Sequence, residues 1–232
     1  MEVIVLAGGL GTRLQGVIGE APKCMAPVNG RPFLAYIFEY LTRQKCVRAI
    51  LSLGYKHQVV LDWLAHQDLP FVVDTVIEHE PLGTGGGIRL AMDQAVADNV
   101  VVLNGDTMFD VQLSEMMADH LAHHAGTTLA LKKMYHFDRY GVVNVGATGV
   151  VASFEEKKFR EEGLINGGVY IIDQRFLHAK HLPHKFSFEK DYLEEFADEH
   201  TYYGHISEGY FIDIGIPEDY ERAQTDFKNI FG

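Results

Sequence analysis

The chain has 232 residues, of which 47% are hydrophobic and 22% are charged, and its formal net charge is −12. This composition excludes an intrinsically disordered protein, which would carry far fewer apolar residues. The negative balance excludes a protein whose main task is to coat nucleic acid or an anionic membrane, although it is compatible with local binding of a small anion.

The first residues and the two cysteines predict a cytoplasmic location. The apolar run after Met1 is too short for a signal peptide and lacks a basic start. No stretch of the sequence has the length and apolarity of a membrane-spanning helix. Cys24 and Cys46 are far from CxxC spacing, which favours reduced thiols.

The first half of the chain alternates strand-like runs with helical periodicity. Short, branched apolar runs typical of buried strands occupy residues 3–6, 49–53, 71–73 and 100–103. Apolar residues at helical spacing predict helices over 33–41, 59–64 and 83–97. Strands separated by helix-length segments indicate βαβ units and a mostly parallel sheet.

The second half of the chain is richer in strands. Strand-like segments at 129–131, 141–145, 150–154 and 169–172 follow one another closely, which predicts an antiparallel or mixed insertion. Helices are predicted over 188–198 and 217–230. We therefore expect a single α/β domain over residues 1–232, divided near residue 125 into two halves.

A glycine-rich loop follows the first predicted strand. Its residues are Leu6, Ala7, Gly8, Gly9, Leu10, Gly11, Thr12, Arg13 and Leu14. Glycines let backbone N–H groups converge on an anion at the end of a strand, and an arginine adds a planar donor fork for phosphate oxygens. The loop therefore favours phosphate binding over a simple tight turn.

The two best-known glycine-rich phosphate motifs do not fit this loop. The P-loop pattern GxxxxGK[ST] is absent. The dinucleotide fingerprint GxGxxG is met at Gly9 and Gly11, but Leu14 replaces the third glycine and no acidic residue ends the second strand. The residues alone thus predict a phosphate site without naming its reaction.

Lys23 lies in a second basic segment. It is flanked by Pro22 and Pro27, which prevent a regular helix throughout this stretch. A single lysine in a loop is usually a solvated surface group. A lysine that is held by flanking prolines, soon after a glycine loop and Arg13, is a more specific indication of phosphate chemistry.

These motifs resemble the signature of the sugar-1-phosphate nucleotidylyltransferases, GGxGTRL followed by PK. The likeness continues in family order almost to the end of the chain. The matching segments are the second nucleotide loop at 80–86, the strand-end Asp106, the FxEK element at 154–157, the NxGxY segment at 166–170 and the DIGxPxDY motif at 213–220. Segments 22–28, 80–86, 186–191 and 209–215 together look most like D-glycero-α-D-manno-heptose 1-phosphate guanylyltransferases.

The resemblance implies a fold and a reaction. The fold is a Rossmann-like three-layer nucleotidyltransferase α/β fold, with a mixed, mostly parallel sheet and a small β-rich sugar-binding insertion. Residues 1–125 would form the nucleotide-binding half and residues 126–232 the sugar-phosphate-binding half. The reaction joins a nucleoside triphosphate, with GTP favoured, to a sugar 1-phosphate and releases pyrophosphate, in surface polysaccharide biosynthesis.

The resemblance also implies roles for individual residues. Arg13, Lys23 and Asp106 are the expected catalytic residues, and Asp106 and Asp213 are expected to hold Mg²⁺, a hard cation that prefers oxygen ligands. The nucleotide is expected to contact Leu6, Ala7, Gly8, Gly9, Gly11, Thr12, Arg13, Lys23, Gly83, Thr84 and Gly105. The sugar phosphate is expected to contact Gly141, Glu156, Lys157, Asn166 and Gly167.

Several alternatives stay open at this point. Within the family, the chain could be a mannose-1-phosphate guanylyltransferase or a glucose-1-phosphate uridylyl- or thymidylyltransferase. The alternative that is not an enzyme is a regulatory subunit that senses nucleotide sugars. A homodimer is compatible with the resemblance, and no nucleic-acid or membrane partner is expected. The histidine groups at 120–124 and 178–184 lack a zinc-site pattern, so we expect solvated surface histidines.

Overall fold

A computed structural model describes residues 1–9, 14–155 and 157–231, except the side chains of Gln15 and Ile18. The strands are β1 (Glu2–Leu6), β2 (Pro27–Val28), β3 (Arg31–Pro32), β4 (Arg48–Leu53), β5 (Val72–Ile77), β6 (Asn99–Asn104), β7 (Thr107–Phe109), β8 (Thr127–Phe137), β9 (Val142–Val145), β10 (Val151–Glu155), β11 (Arg160–Asp173), β12 (Tyr202–Ile206) and β13 (Phe211–Asp213). The α-helices are α1 (Gln15–Ile18), α2 (Phe33–Arg43), α3 (His57–Leu64), α4 (Gly83–Met92), α5 (Leu113–Ala122), α6 (Gln174–His178) and α7 (Pro217–Ile230). Short 3₁₀ turns cover Lys23–Met25 and Ala197–Glu199, and a π-helix covers Phe188–Glu194.

A nine-stranded sheet runs through both halves of the chain. Its first part has the order β5-β4-β1-β6, and all neighbours there are parallel. This arrangement follows from the βαβ alternation, because a helix between two strands returns the chain to the same edge of the sheet. The carboxyl ends of these four strands therefore lie along one edge.

The strand-rich second half continues the same sheet. β11 pairs antiparallel with β6 and connects the parallel strands to β8 and β9, and β12 runs parallel to β8. β11 is 14 residues long, and its pairing with β8 changes register between Asn166 and Tyr170. The predicted mixed α/β sheet is confirmed.

Two apolar cores lie on opposite faces of the sheet. Successive residues of β1 point to opposite faces of the sheet, so that Val3 and Val5 pack into one core and Ile4 packs into the other. Helices α2, α5 and α7 cover the first face, and α4 and the π-helix cover the second. This period-two alternation in a strand buried on both sides produces the three layers.

Most predicted elements are present with shifted ends. The last helix matches the predicted bounds 217–230, and α2 begins directly after Pro32. The helix predicted over 83–97 ends at Met92. The helix predicted over 188–198 is wrong in type, because this segment forms the π-helix and then a separate 3₁₀ turn.

The expectation that the histidines are all solvated is wrong for His120. Its ring is buried on α5 and hydrogen-bonds Thr128 Oγ1 at 2.8 Å and Asn99 Oδ1 at 2.9 Å. Burial lowers the pKa of His120 to about 4. The ring is therefore a neutral core group that joins α5 to the sheet, whereas His123 and His124 follow the end of that helix.

The helices of the described residues include none that is both long and apolar enough to cross a lipid bilayer.

Candidate active site

A cavity of about 670 Å³ opens at the carboxyl ends of the four parallel strands. This is the edge where open α/β sheets bind their ligands. Of the residues predicted to contact the nucleotide, those that line it are Leu6, Ala7, Gly8, Gly9, Lys23, Gly83, Thr84 and Gly105, and the predicted metal ligand Asp106 lines it too. The tertiary structure thus gathers the two predicted nucleotide loops and the lysine segment around one space.

Gly105 holds two strand ends close together. Its N–H donates to the carbonyl of Leu6 at 2.9 Å. A Cβ at this position would lie 2.5 Å from that same oxygen, closer than side-chain carbons approach a carbonyl. Gly105 therefore sets the separation between the glycine loop after β1 and Asp106 after β6.

The second nucleotide loop is fixed by the segment before the π-helix. Gly83 has a φ of +75°, a backbone conformation that favours glycine, and its α-carbon faces the carbonyl of Phe186. The Thr84 hydroxyl donates to Glu189 Oε2 at 2.7 Å and accepts from the Phe188 N–H at 2.8 Å. The π-helix thus sets the position of the loop that forms one wall of the cavity.

Lys23 lies between two carboxylates. Its Nζ is 2.5 Å from Asp106 Oδ2 and 3.5 Å from Asp213 Oδ1, and its side chain is 14% exposed. The prolines hold the lysine in a single 3₁₀ turn, where the Met25 N–H donates to the Pro22 carbonyl at 2.8 Å. We call Asp106 and Asp213 the acidic pair.

The acidic pair is assembled by a small second sheet. β13 pairs antiparallel with β7, and Asp213 stands opposite Thr107, next to Asp106. Burial and the negative charge of Asp106 raise the pKa of Asp213, while Lys23 lowers it. Two carboxylates that face one ammonium can also face a divalent cation, so these oxygen donors fit a hard metal ion.

Within the described residues, no three histidine, cysteine, aspartate or glutamate side chains cluster as a complete metal site would require. A metal ion held by the acidic pair would therefore need oxygen ligands from elsewhere. Phosphate oxygens of a bound nucleotide are suited to this role, since Mg²⁺ is commonly held by one or two carboxylates and substrate phosphates.

Of the predicted sugar-phosphate residues that the structure describes, Asn166 and Gly167 lie in β11, and none of Gly141, Lys157, Asn166 and Gly167 lines the nucleotide cavity. Asn166 donates to the Tyr170 hydroxyl at 2.8 Å and accepts from the Gly168 N–H at 3.0 Å. Gly167 faces the ring of Phe109, and Gly168 faces Asn104, which lines the cavity. The irregular part of β11 at residues 166–168 therefore borders the cavity at Asn104.

The remaining predicted residues divide into two groups. Gly141 lies against the carbonyl of Glu155, and Lys157 is exposed just beyond the end of β10. Gly11, Thr12, Arg13 and Glu156 lie outside the described residues. Their assignments stay predictions.

Sequence reasoning missed Glu78 in this site. Its carboxylate lines the cavity, with Oε1 accepting from the Ser52 hydroxyl at 3.2 Å and Oε2 from the Leu82 N–H at 3.2 Å. Glu78 directly follows β5, as Gly105 and Asp106 directly follow β6. A polar residue after a predicted parallel strand was the signal that could have found it.

Cys24 is a buried packing residue in the wall of this cavity. Its thiol is buried against the carbonyl of Ala7, 3.9 Å away. Burial and the charge of Asp106 raise the pKa of Cys24 to about 12. The thiol is therefore protonated at neutral pH and is not a nucleophile.

Comparison with known proteins gives consistent matches over the whole chain. The profile of the nucleotidyl transferase family matches residues 2–229. The D-glycero-alpha-D-manno-heptose 1-phosphate guanylyltransferase of Aneurinibacillus thermoaerophilus is 47% identical over 229 residues, which are 99% of each chain. The Campylobacter jejuni enzyme of the same name is 45% identical, over 95% of this chain and 97% of its own.

A solved structure matches the fold at similar coverage. The crystal structure of HddC from Yersinia pseudotuberculosis complexed with GMP-PN superposes with a TM-score of 0.87 and 37% sequence identity. The match covers 97% of this chain and 99% of HddC.

Proposed function

This chain belongs to the nucleotidyl transferase family, and from that premise we propose that it transfers the guanylyl group of GTP to D-glycero-α-D-manno-heptose 1-phosphate. The products are the GDP-sugar and pyrophosphate. The family relationship makes the chain an enzyme whose substrates are a nucleoside triphosphate and a sugar phosphate. We further propose that it works in the cytoplasm and supplies surface polysaccharide biosynthesis.

The observation that carries this proposal is the position of Lys23. The ammonium of Lys23 lies between two carboxylates at the wall of the cavity, where the parallel strands end. In its protonated form it can neutralise the charge of a phosphate and cannot act as a nucleophile. Such an arrangement suits the transfer of a nucleotidyl group from one phosphate anion to another, where positioning and charge neutralisation provide most of the rate.

The reaction needs no general base, because the attacking sugar-phosphate oxygen is already an anion. That oxygen attacks the α-phosphorus of GTP in line, a new P–O bond forms, and the bond to the β-phosphate breaks so that pyrophosphate leaves. We propose that Lys23 neutralises the α-phosphate during this step. Backbone N–H groups of the glycine loop at 8–12, together with Arg13, are proposed to hold the triphosphate and the departing pyrophosphate.

The acidic pair is proposed to hold Mg²⁺. The bound ion would neutralise charge on the phosphate oxygens. Leu6, Ala7, Gly83, Thr84 and Gly105 would enclose the nucleoside, consistent with their place in the cavity wall.

The sugar phosphate is proposed to bind on the second half of the sheet. Lys157 would neutralise its phosphate, and Gly141, Glu156, Asn166 and Gly167 would face its hydroxyls. The irregular part of β11 at residues 166–168 supports this proposal because it meets the cavity at Asn104. The division into a nucleotide half, 1–125, and a sugar-phosphate half, 126–232, follows from the same assignments.

A substrate matrix tests the proposal. GTP, ATP, UTP and dTTP are each combined with the 1-phosphates of the heptose, mannose and glucose, and Mg²⁺-dependent pyrophosphate release is measured. We expect release to be fastest with GTP and the heptose 1-phosphate. Preference for UTP or dTTP with glucose 1-phosphate, or no pyrophosphate from any pair, would overturn the proposal.

Asp106→Asn separates turnover from nucleotide binding. This variant should lose pyrophosphate release and retain measurable affinity for a non-hydrolysable GTP analogue. Asp110→Asn is the matched control, because Asp110 is exposed beyond β7 and lies outside the cavity. Equal activity of the Asp106→Asn variant and the wild type would contradict the metal-holding role.

A further inference from the structure

The loop between β8 and β9, residues 138–141, is joined to the first turn of α7 by an ion pair. Arg139 Nη2 contacts Asp219 Oδ2. The two residues are 80 positions apart in the chain, so the contact is purely tertiary. Neither residue has a role in the proposed chemistry above.

Asp219 is shared between two arginines on different elements. Its side chain is 6% exposed, and its second oxygen lies 3.1 Å from Arg222 Nη2, one turn further along α7. Arg222 also faces Asp226, with 3.8 Å between Nε and Oδ2. Both arginines neutralise the same buried carboxylate, but only Arg139 connects it to the loop.

Helix α7 has anchors that do not involve Arg139. The ring of Phe227 is buried 5.7 Å from the ring of Phe33 and 4.8 Å from that of Tyr36, measured between centroids. The Tyr220 hydroxyl donates to the carbonyl of Pro27. Loss of the Arg139 contact would therefore release the loop and leave the helix in place.

The loop touches both sides of the proposed reaction centre. The Tyr140 ring packs edge-on to Phe211, 5.8 Å away, on the strand that ends at Asp213. Gly141 lies against the carbonyl of Glu155, at the end of the strand that precedes Glu156 and Lys157. The loop thus spans from the acidic pair to the proposed sugar-phosphate contacts.

We propose that Arg139 is a positioning residue for the sugar 1-phosphate: its ion pair with the buried Asp219 fixes the 138–141 loop, and with it the sugar side of the site, against the acidic pair. This inference rests on the proposed function, because it concerns the second substrate of that reaction. Arg139 acts here through Asp219 and the loop, and its ion-pair partner Asp219 is outside the lining of the nucleotide cavity.

Arg139→Gln and Arg222→Gln form the matched test. Each removes one guanidinium from Asp219 and leaves the other, so their effects on the charge of this buried group are similar. We expect Arg139→Gln to raise KM for the sugar 1-phosphate about tenfold, equivalent to about 1.4 kcal/mol, with KM for GTP within about twofold of wild type. Arg222→Gln should leave both KM values within about twofold.

Asp219→Asn tests whether Arg139 acts through Asp219. If it does, Asp219→Asn should reproduce the higher KM for the sugar phosphate, and the double variant with Arg139→Gln should be no worse than either single variant. Arg139→Lys keeps the charge without the planar fork and should recover part of the loss. Melting temperatures show that each variant is folded before kinetics are compared.

Several outcomes would overturn the inference. The first is an equal change in KM for the sugar 1-phosphate in Arg139→Gln and Arg222→Gln. The second is a double variant of Arg139 and Asp219 whose KM increase is the product of the two single increases. The third is a rise in KM for GTP as large as that for the sugar phosphate. The wild type is first assayed with the substrate matrix above. Failure of the wild type in that assay would refute the proposed function, whereas an active wild type with an unchanged Arg139→Gln variant would refute this inference alone.

Discussion

Gly105→Ala is the substitution whose consequence the structure defines most directly. The added Cβ would lie 2.5 Å from the carbonyl oxygen of Leu6 and 3.3 Å from the α-carbon of Ala7. Both neighbours are backbone, so no side chain can rotate away. To reach a normal van der Waals contact of 3.4 Å, the chain at Gly105 must move by about 0.9 Å relative to β1.

The cost of this movement has two parts. Overpacking in a filled interior costs about 1–3 kcal/mol, and weakening the 2.9 Å bond from Gly105 N–H to Leu6 adds about 1 kcal/mol. For a chain of this size we expect the melting temperature to fall by roughly 5–15 °C. Asp106 moves with its neighbour, and displacements approaching 1 Å at a reacting centre cost up to about 100-fold in rate.

Thermal unfolding and pyrophosphate release measure the two effects. Gly146→Ala is the control, because a Cβ there meets only the Val150 carbonyl at an ordinary 3.8 Å. We expect this variant to melt within about 2 °C of wild type, as is usual for surface substitutions. If Gly105→Ala behaves like Gly146→Ala in both assays, the close approach of the two strand ends does not set the position of Asp106.

Three further predictions follow from other contacts. Lys23→Met should lower turnover at least about 100-fold, because it removes the ammonium between the acidic pair that we propose neutralises the α-phosphate. Thr84→Val should lower stability by about 1 kcal/mol and raise KM for GTP severalfold, because it removes both hydrogen bonds of the hydroxyl to the segment at 188–189. Acidification from pH 7 to pH 4 should cost about 3 kcal/mol of unfolding free energy through His120. The sign follows from the lowered pKa: below pH 6.5 the unfolded chain takes up a proton that the folded ring binds only near pH 4. His120→Gln should lessen that loss in urea unfolding.

Each of these predictions has a matched control. Lys185→Met changes an exposed lysine and should leave turnover unchanged. Thr84→Ser keeps the hydroxyl and should retain most of the GTP affinity. His181→Gln changes an exposed histidine and should leave the pH dependence of unfolding as in the wild type. If a test variant and its control give the same result in the assay, the contact named for that prediction does not have the proposed effect.

Local patterns predicted elements in both halves of the chain. The strand at 100–103 and the helices at 33–41 and 217–230 follow from the pattern of apolar residues within a few residues. The π-helix was not predictable in the same way. Its form depends on Thr84 and on the buried rings of Phe188 and Tyr192, which stack 5.0 Å apart.

Short strands and buried polar groups were beyond sequence reasoning. β7 and β13 are three residues each, too short for any period to be recognised, and they are stable only because they pair with each other. His120 has the sequence context of a surface helix, and only the approach of Asn99 and Thr128 buries it with both ring nitrogens bonded.

Local motifs in the sequence were enough to predict the family, which the comparisons confirm, and to suggest the phosphate roles proposed above, because the residues of the glycine loop and the neighbours of Lys23 and Asp106 are adjacent along the chain. The resemblance to the family suggested that Asp106 and Asp213 meet, but the contact of Lys23 with both of them is a result of the tertiary structure. Lys23 and Asp106 are 83 residues apart, and Asp213 reaches them through the pairing of β13 with β7. Convergence of charges depends on distances in space, which strand pairing and helix packing set and which no local pattern records.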